Sequence, residues 1–170
     1  MNIVLCGLPG CGKTTCGKLL ANQLSWEFMD TDLFIESTFS STCRDIFLKQ
    51  GEQHFRKLEK KIIQNLPRDT SKVIAVGGGA LLDCDNILHL KSIGTIVYFC
   101  GSWESLYSRA TANGIPAYLD EKNPLQAYKR LSCERGPLYK KAADYTINID
   151  NKTIQQVALE LYNLGKNIGK

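Results

Sequence analysis

Gly7-Leu8-Pro9-Gly10-Cys11-Gly12-Lys13-Thr14 fits the pattern G-x-x-x-x-G-K-[ST] at every position. Its flanks fit as well. Ile3-Val4-Leu5-Cys6 is a short apolar run that reads as a buried strand, and Thr15 to Leu24 reads as a helix with Cys16, Leu19, Leu20 and Leu24 at helical spacing. A strand, a glycine-rich turn and a helix together make an anion site. The turn aims unpaired backbone N–H groups inward, and the helix start adds partial positive charge. Glycines permit the backbone angles that such a turn needs. Lys13 supplies a point charge for outer phosphates, and the Thr14 hydroxyl can ligate Mg²⁺.

The rest of the chain alternates short apolar runs with longer helical patterns. Further strands are expected at Trp26–Met29, Lys72–Val76, Thr95–Cys100 and Tyr145–Ile149. Helical patterns cover Asp45–Leu66 with a break near Gly51, Asn86–Lys91, a helix N-capped by Ser102, Pro124–Arg135, and Thr153–Leu164. Gly136 and Pro137 are expected to stop the fourth of these, leaving Arg135 in its last turn. This alternation predicts an α/β fold, a three-layer α/β/α domain on a parallel sheet, with every strand's C-terminal end on one rim. A chain of 170 residues is one domain by length. Thr111 to Asn123, with Asn113-Gly114, Pro116, Asp120 and Pro124 beside it, reads as a loop of lid-like length.

Composition narrows the function. The net charge is +4 with dispersed basic residues, so no nucleic-acid tail is expected. No apolar stretch reaches the length of a membrane span. No targeting segment is visible before the first strand, and a reducing cytoplasm is the expected location. The seven cysteines are odd in number and show no C-x-x-C spacing, which argues against a disulfide framework or a zinc site. Cys11 lies in the phosphate loop near a helix start, where thiolates are favoured, so loss of activity on its oxidation or alkylation is expected. No heptad seam is visible, so a monomer is expected.

Several residues near the rim can carry chemistry. If the chain is still extended past the second strand, Asp30 and Asp32 point to one side, toward the phosphate loop. One would order Mg²⁺ through its waters, and the other would accept a hydrogen bond from an attacking hydroxyl. The competing reading makes Asp30 a helix cap and Asp32 a first-turn dipole residue. Gly77-Gly78-Gly79 suits close approach by a small polar or anionic substrate. Arg56 is held at i+3 by Glu59 and could grip a carboxylate. Read blandly, the same pair is an exposed ion pair.

The phosphate loop, Asp30-Thr31-Asp32, Gly51-Glu52 with Phe55-Arg56 and Glu59, Gly77-Gly78-Gly79 and Arg135-Gly136-Pro137-Leu138-Tyr139 occur in this order over nearly the whole chain. The ordered set closely resembles the shikimate kinase family. The resemblance implies transfer of the ATP γ-phosphoryl group to the 3-hydroxyl of shikimate, in aromatic amino acid biosynthesis. It also implies a P-loop kinase fold with five parallel strands in the order 2-3-1-4-5. Gly10, Cys11, Gly12, Lys13, Thr14 and Thr15 would then bind ATP, with Arg109 near the adenine. Thr14 and Asp30 would serve Mg²⁺, and Lys13 and Asp32 the chemistry. Asp32, Arg56, Gly78, Gly79 and Arg135 would bind shikimate, under a lid at about 111–123. Rival readings are a gluconate-like or nucleoside monophosphate kinase of the same fold, a weakly active relative, and a nucleotide-binding switch. N-K-x-D is missing, which weighs against the switch.

One position departs from the family. Its lid carries an arginine just before a proline, whereas Asn113-Gly114-Ile115-Pro116 puts Ile115 there. Loss of such a cation can cost several kcal/mol in the transition state, and Lys122 and Arg109 are the candidate replacements. Ile115→Arg is expected to change kcat more than the KM for shikimate in steady-state assays. An unchanged kcat would mean that the charge already comes from elsewhere.

Overall fold

The computed structural model describes residues 1–168 apart from 69, 113, 117, 120 and 121, and gives the backbone alone at 167 and 168. Asn113 and Asp120 therefore lie outside the described residues. Five parallel strands form one sheet: β1 (Asn2–Gly7), β2 (Glu27–Asp30), β3 (Lys72–Ala75), β4 (Gly94–Cys100) and β5 (Tyr145–Asn148). Their order is β2-β3-β1-β4-β5, as the resemblance implied. β1 is central and buried along its whole length, which is why its sequence runs apolar without alternation. The helices are α1 (Lys13–Leu24), α2 (Thr31–Phe39), α3 (Cys43–Gln50), α4 (Glu52–Gln64), α5 (Cys84–Ile93), α6 (Trp103–Ala110), α7 (Pro124–Ala142) and α8 (Ile154–Ile168). They complete a three-layer α/β/α fold.

Two sequence expectations fail here. The chain is not extended after β2: Asp30 caps α2, accepting from the N–H groups of Asp32 and Leu33 at 3.0 and 3.3 Å. A short polar side chain that satisfies a helix's first donors ends the strand at once. Nor does Gly136-Pro137 stop α7. Tyr128, Leu131, Tyr139 and Ala142 are buried along one face of this helix, and carrying that face past Pro137 outweighs the lost hydrogen bond. Pro137 and Cys133 are exposed, so the carbonyl that Pro137 leaves without a donor can meet water. Arg135 thus sits inside the helix, not in its last turn.

The expected break near Gly51 is present, where α3 gives way to α4 at φ 83°. Helices α2 to α4 carry an apolar cluster of their own, Ile35, Ile46 and Phe55, separate from the main core around the sheet. Ser102 holds the N-cap position of α6 but does not cap it. Its N–H and hydroxyl both bond Asp150, which ties the end of β4 to the turn after β5. No helix among the described residues is long and apolar enough to cross a membrane.

At the opposite end of the sheet from the phosphate loop, Asn2 is fully buried. Its amide donates to the carbonyls of Pro67 and Ile93 at 3.0 and 3.1 Å, and its oxygen accepts from the Lys72 N–H and the Thr70 hydroxyl, each at 3.1 Å. One side chain therefore pins the starts of β1, β3 and β4. Asn2→Ala leaves these groups unpaired and is expected to cost about 2 kcal/mol or more in urea unfolding. A loss under about 0.5 kcal/mol would show that water replaces the amide.

Candidate active site

The phosphate loop joins β1 to α1 on the C-terminal rim of the sheet. Gly12 is the N-cap of α1 in left-handed conformation, at φ 87°, and supplies no side chain to the helix. No acidic residue stands in the first turn of α1, whereas α2, α3, α5 and α7 are capped by Asp30, Thr42, Asp83 and Asn123. The first N–H groups of α1 are thus left for an anion. Gly10 is required on two counts: its φ is 86°, and a Cβ there would stand 2.4 Å from the Leu106 carbonyl oxygen of α6. Lys13 Nζ donates to the loop carbonyls of Gly7 and Leu8, at 2.9 and 3.3 Å, and lies 3.6 Å from Cys11 Sγ. Cys11 is 2% exposed, so reagents reach its thiol less readily than its loop position suggests.

Asp30 does more than cap. Its second oxygen accepts from the Thr14 hydroxyl at 2.6 Å, so both residues expected to serve Mg²⁺ meet beside the loop. Among the described residues, no group of three or more His, Cys, Asp and Glu side chains could hold a metal. A hydroxyl and a carboxylate suit Mg²⁺, a hard cation that keeps waters and shares phosphate oxygens. Thr15 is exposed in the first turn of α1. Arg109 is exposed on α6, with Nη2 3.2 Å from the Ser105 hydroxyl, and does not line the cavity beside the loop.

That cavity, of about 270 Å³, lies next to the loop and has Pro9, Asp32, Arg56, Glu59, Gly78 and Arg135 in its walls. The helical start of Asp32 does not remove it from the site, because the first turn of α2 faces the cavity. Thr31 anchors that turn, its buried hydroxyl accepting from the Gly77 N–H at 3.0 Å. Arg56 is held by Glu59 at 2.7 Å, and Glu59 is almost wholly buried, so this is no surface ion pair. Gly79 lies directly under the Arg56 guanidinium, where a Cβ would collide with it. The Gly78 carbonyl accepts from Arg135 Nη1 at 2.8 Å and from the Tyr139 hydroxyl. One face of α7 therefore grips both halves of the site, since Tyr128 also donates to the Pro9 carbonyl at 2.6 Å.

Sequence reasoning missed three contributors. Glu59 appeared only as a partner for Arg56, yet its Oε1 and Asp32 Oδ1 each stand 2.6 Å from where a Gly77 Cβ would be, buried and without a hydrogen-bond partner. Tyr118, from the irregular segment before α7, lines the cavity as well. Arg44 of α3 also lines it and donates to the Ile115 carbonyl. Arg44 thus brings a guanidinium to the Ile115 backbone across 71 residues of chain, a contact that no local motif announces. Burial, then the Glu59 and Asp30 carboxylates, push the Asp32 carboxyl up to about 7. Burial also raises Glu59, against the pull of Arg56.

A family model for shikimate kinase matches residues 9–164. The chain belongs to the shikimate kinase family. The shikimate kinase of Hahella chejuensis is 41% identical over 160 residues, which are 94% of this chain and 83% of that one. A solved shikimate kinase from Acinetobacter baumannii in complex with shikimate superposes with a TM-score of 0.91 at 35% identity, covering 98% of this chain and 93% of that one. The shikimate kinase structure from Aquifex aeolicus gives a TM-score of 0.83 at 32% identity over the whole of both chains. Family membership makes the protein a kinase, and it puts the phosphate loop and the neighbouring cavity in one enzyme.

Burial of the Asp32 carboxyl makes the protein's stability depend on pH. The folded state holds this proton more tightly than the unfolded chain, whose carboxyl has the ordinary value near 3.8. The stabilisation from this group is therefore full below that value and is lost as pH rises through about 7. Asp32→Asn should raise Tm at pH 8 by about 2–4 °C, on the order of 1 kcal/mol, and by less at pH 5. A Tm difference that does not grow with pH would mean that Asp32 ionises freely in the folded protein.

Proposed function

We propose that the protein transfers the γ-phosphoryl group of ATP to the 3-hydroxyl of shikimate, and that residues 1–170 act as one P-loop kinase domain. The observation that carries this reading is the convergence of Arg56, Arg135 and Asp32 on a cavity walled on one side by the phosphate loop. Two guanidinium groups suit a planar carboxylate, and a carboxylate beside them suits a hydroxyl. The cavity is at or below the small end of ligand pockets, which run from roughly 300 to 1,000 Å³. That size favours a small polar acid over a nucleoside monophosphate.

In this mechanism, Gly10, Cys11, Gly12 and Thr15 bind the triphosphate through the loop and the start of α1, with Arg109 toward the adenine. Lys13 turns its ammonium from the loop carbonyls to the outer phosphates, which are stronger acceptors. Thr14 and Asp30, Asp30 through water, would hold Mg²⁺, which would supply charge neutralisation for the transferring group. Asp32 accepts the proton of the attacking hydroxyl. A carboxyl near 7 is a better base at neutral pH than an ordinary one. Arg56 and Arg135 orient the acceptor through its carboxylate, and Gly78 and Gly79 let its ring approach the backbone. The segment at about 111–123 covers the acceptor and keeps water from the phosphoryl group. The free thiols suit a reducing cytoplasm.

Turnover is tested by ADP release with ATP, Mg²⁺ and a panel of shikimate, gluconate and nucleoside monophosphates. Shikimate should be the preferred acceptor, and release with another acceptor alone would reject the reading. Arg135→Lys should raise the shikimate KM about tenfold or more, because a point charge cannot match two carboxylate oxygens. The wild-type kcat/KM should fall as pH drops below about 7, where Asp32 takes up its proton. Asp32→Asn should lose about 10²–10⁴ in kcat and show a flat profile across this range. A wild-type profile unchanged between pH 6 and 8 would remove Asp32 from the role of base.

A further inference from the structure

Tyr118 stands in the irregular segment between α6 and α7, and its ring lines the acceptor cavity with Asp32, Arg56 and Arg135. Its hydroxyl is buried and has no hydrogen-bond partner. An orphaned buried hydroxyl is destabilising relative to a satisfied one, so a phenylalanine would serve packing better. The neighbouring phenols behave differently. Tyr128 donates to the Pro9 carbonyl and Tyr139 to the Gly78 carbonyl, so both are engaged within the protein. Tyr118 has Arg135, Tyr139, Asp32 and Tyr128 as its titratable neighbours, and the Arg135 guanidinium is the strongest electrostatic influence on it. The Tyr139 hydroxyl is already committed, and Asp32 Oδ1 stands by Gly77 without a bond to the phenol.

The described residues on either side of Tyr118 are held in place. Arg44 donates to the Ile115 carbonyl, Ile115 packs on the main core and Leu119 is buried. The phenol is therefore presented to the cavity from a backbone anchored on both sides of it. Among the described residues, the Tyr118 hydroxyl is the uncharged donor in the cavity that has no acceptor.

We propose that Tyr118 is an acceptor-binding residue whose hydroxyl donates to the substrate carboxylate beside Arg135. This rests on the shikimate reading and deepens it. The carboxylate then receives charge-assisted bonds from guanidinium on one side and a phenol from the covering segment on the other. The bond forms only with acceptor bound, so it couples acceptor recognition to the position of that segment.

Tyr118→Phe tests this, since it removes one oxygen and keeps the ring. Shikimate binding by calorimetry and steady-state kinetics should weaken about tenfold in Kd and KM, with the ATP KM unchanged. For the shikimate methyl ester, which carries no negative charge, the loss should shrink to about threefold or less. Tm without ligands should equal or exceed that of the wild type. A shikimate Kd within twofold of wild type, an equal loss for acid and ester, or a lowered Tm would each overturn the proposal, the last by revealing a structural partner for the hydroxyl. Wild-type enzyme measured in parallel separates the two levels. If it neither binds nor phosphorylates shikimate, the functional reading falls and this inference with it. If it does both and Tyr118→Phe matches it, this inference alone falls.

Discussion

The start of α1 has backbone donors that no side chain satisfies and no acidic residue neutralises. That local deficit organises the rest of the molecule. A cluster of uncapped N–H groups beside a lysine is costly to bury without an anion and useful at the surface of a cleft. The sheet meets this constraint by putting the loop after its central strand, where the rim is flanked by the ends of β3 and β4. The close approach of α6 to Gly10 and the bond from Tyr128 to Pro9 then hold the loop in shape from outside.

The acceptor half obeys a different economy. Two carboxyl groups, Asp32 and Glu59, are buried beside Gly77, and two arginines lie close by. Glu59 holds Arg56, while Arg135 reaches across to Gly78. Burial raises both acids, and with Asp32 near 7 the pocket carries less negative charge at neutral pH and below than its residue count suggests. An anionic substrate would then meet guanidinium groups next to an Asp32 carboxyl that is partly neutral near pH 7. This arrangement weakens the free protein around Asp32 and, in the proposed mechanism, poises the same group for proton transfer, a common trade in active sites.

Much of this was legible before the fold was known. Each strand appeared as a short run of strand-forming residues, although the edge strands β2 and β5 prove only partly buried, and the break at Gly51 followed from one glycine. Arg56 with Glu59 was visible as an i, i+3 pair. Three points were not legible, for physical reasons. Asp30 can end a strand, cap a helix and bond Thr14 together, and local pattern offered these as alternatives. Pro137 is a helix breaker by local chemistry, and only the burial of Tyr139 and Ala142 overrides it. Arg44 lies in a stretch without a motif, and Tyr118 lies in the lid-like loop, where nothing in the chain singles it out from its neighbours.

The chain by itself determined the kinds of element, their order, and the chemistry of the phosphate loop. These depend on hydrophobic period, turn residues and a short contiguous motif, all of which act over a few neighbouring positions. Tertiary structure alone decided which carboxyls are buried together, where the Ile115 carbonyl finds a cation, and which tyrosine hydroxyl is left unpaired. Desolvation and hydrogen-bond satisfaction depend on everything packed around a group, and those neighbours come from distant parts of the sequence.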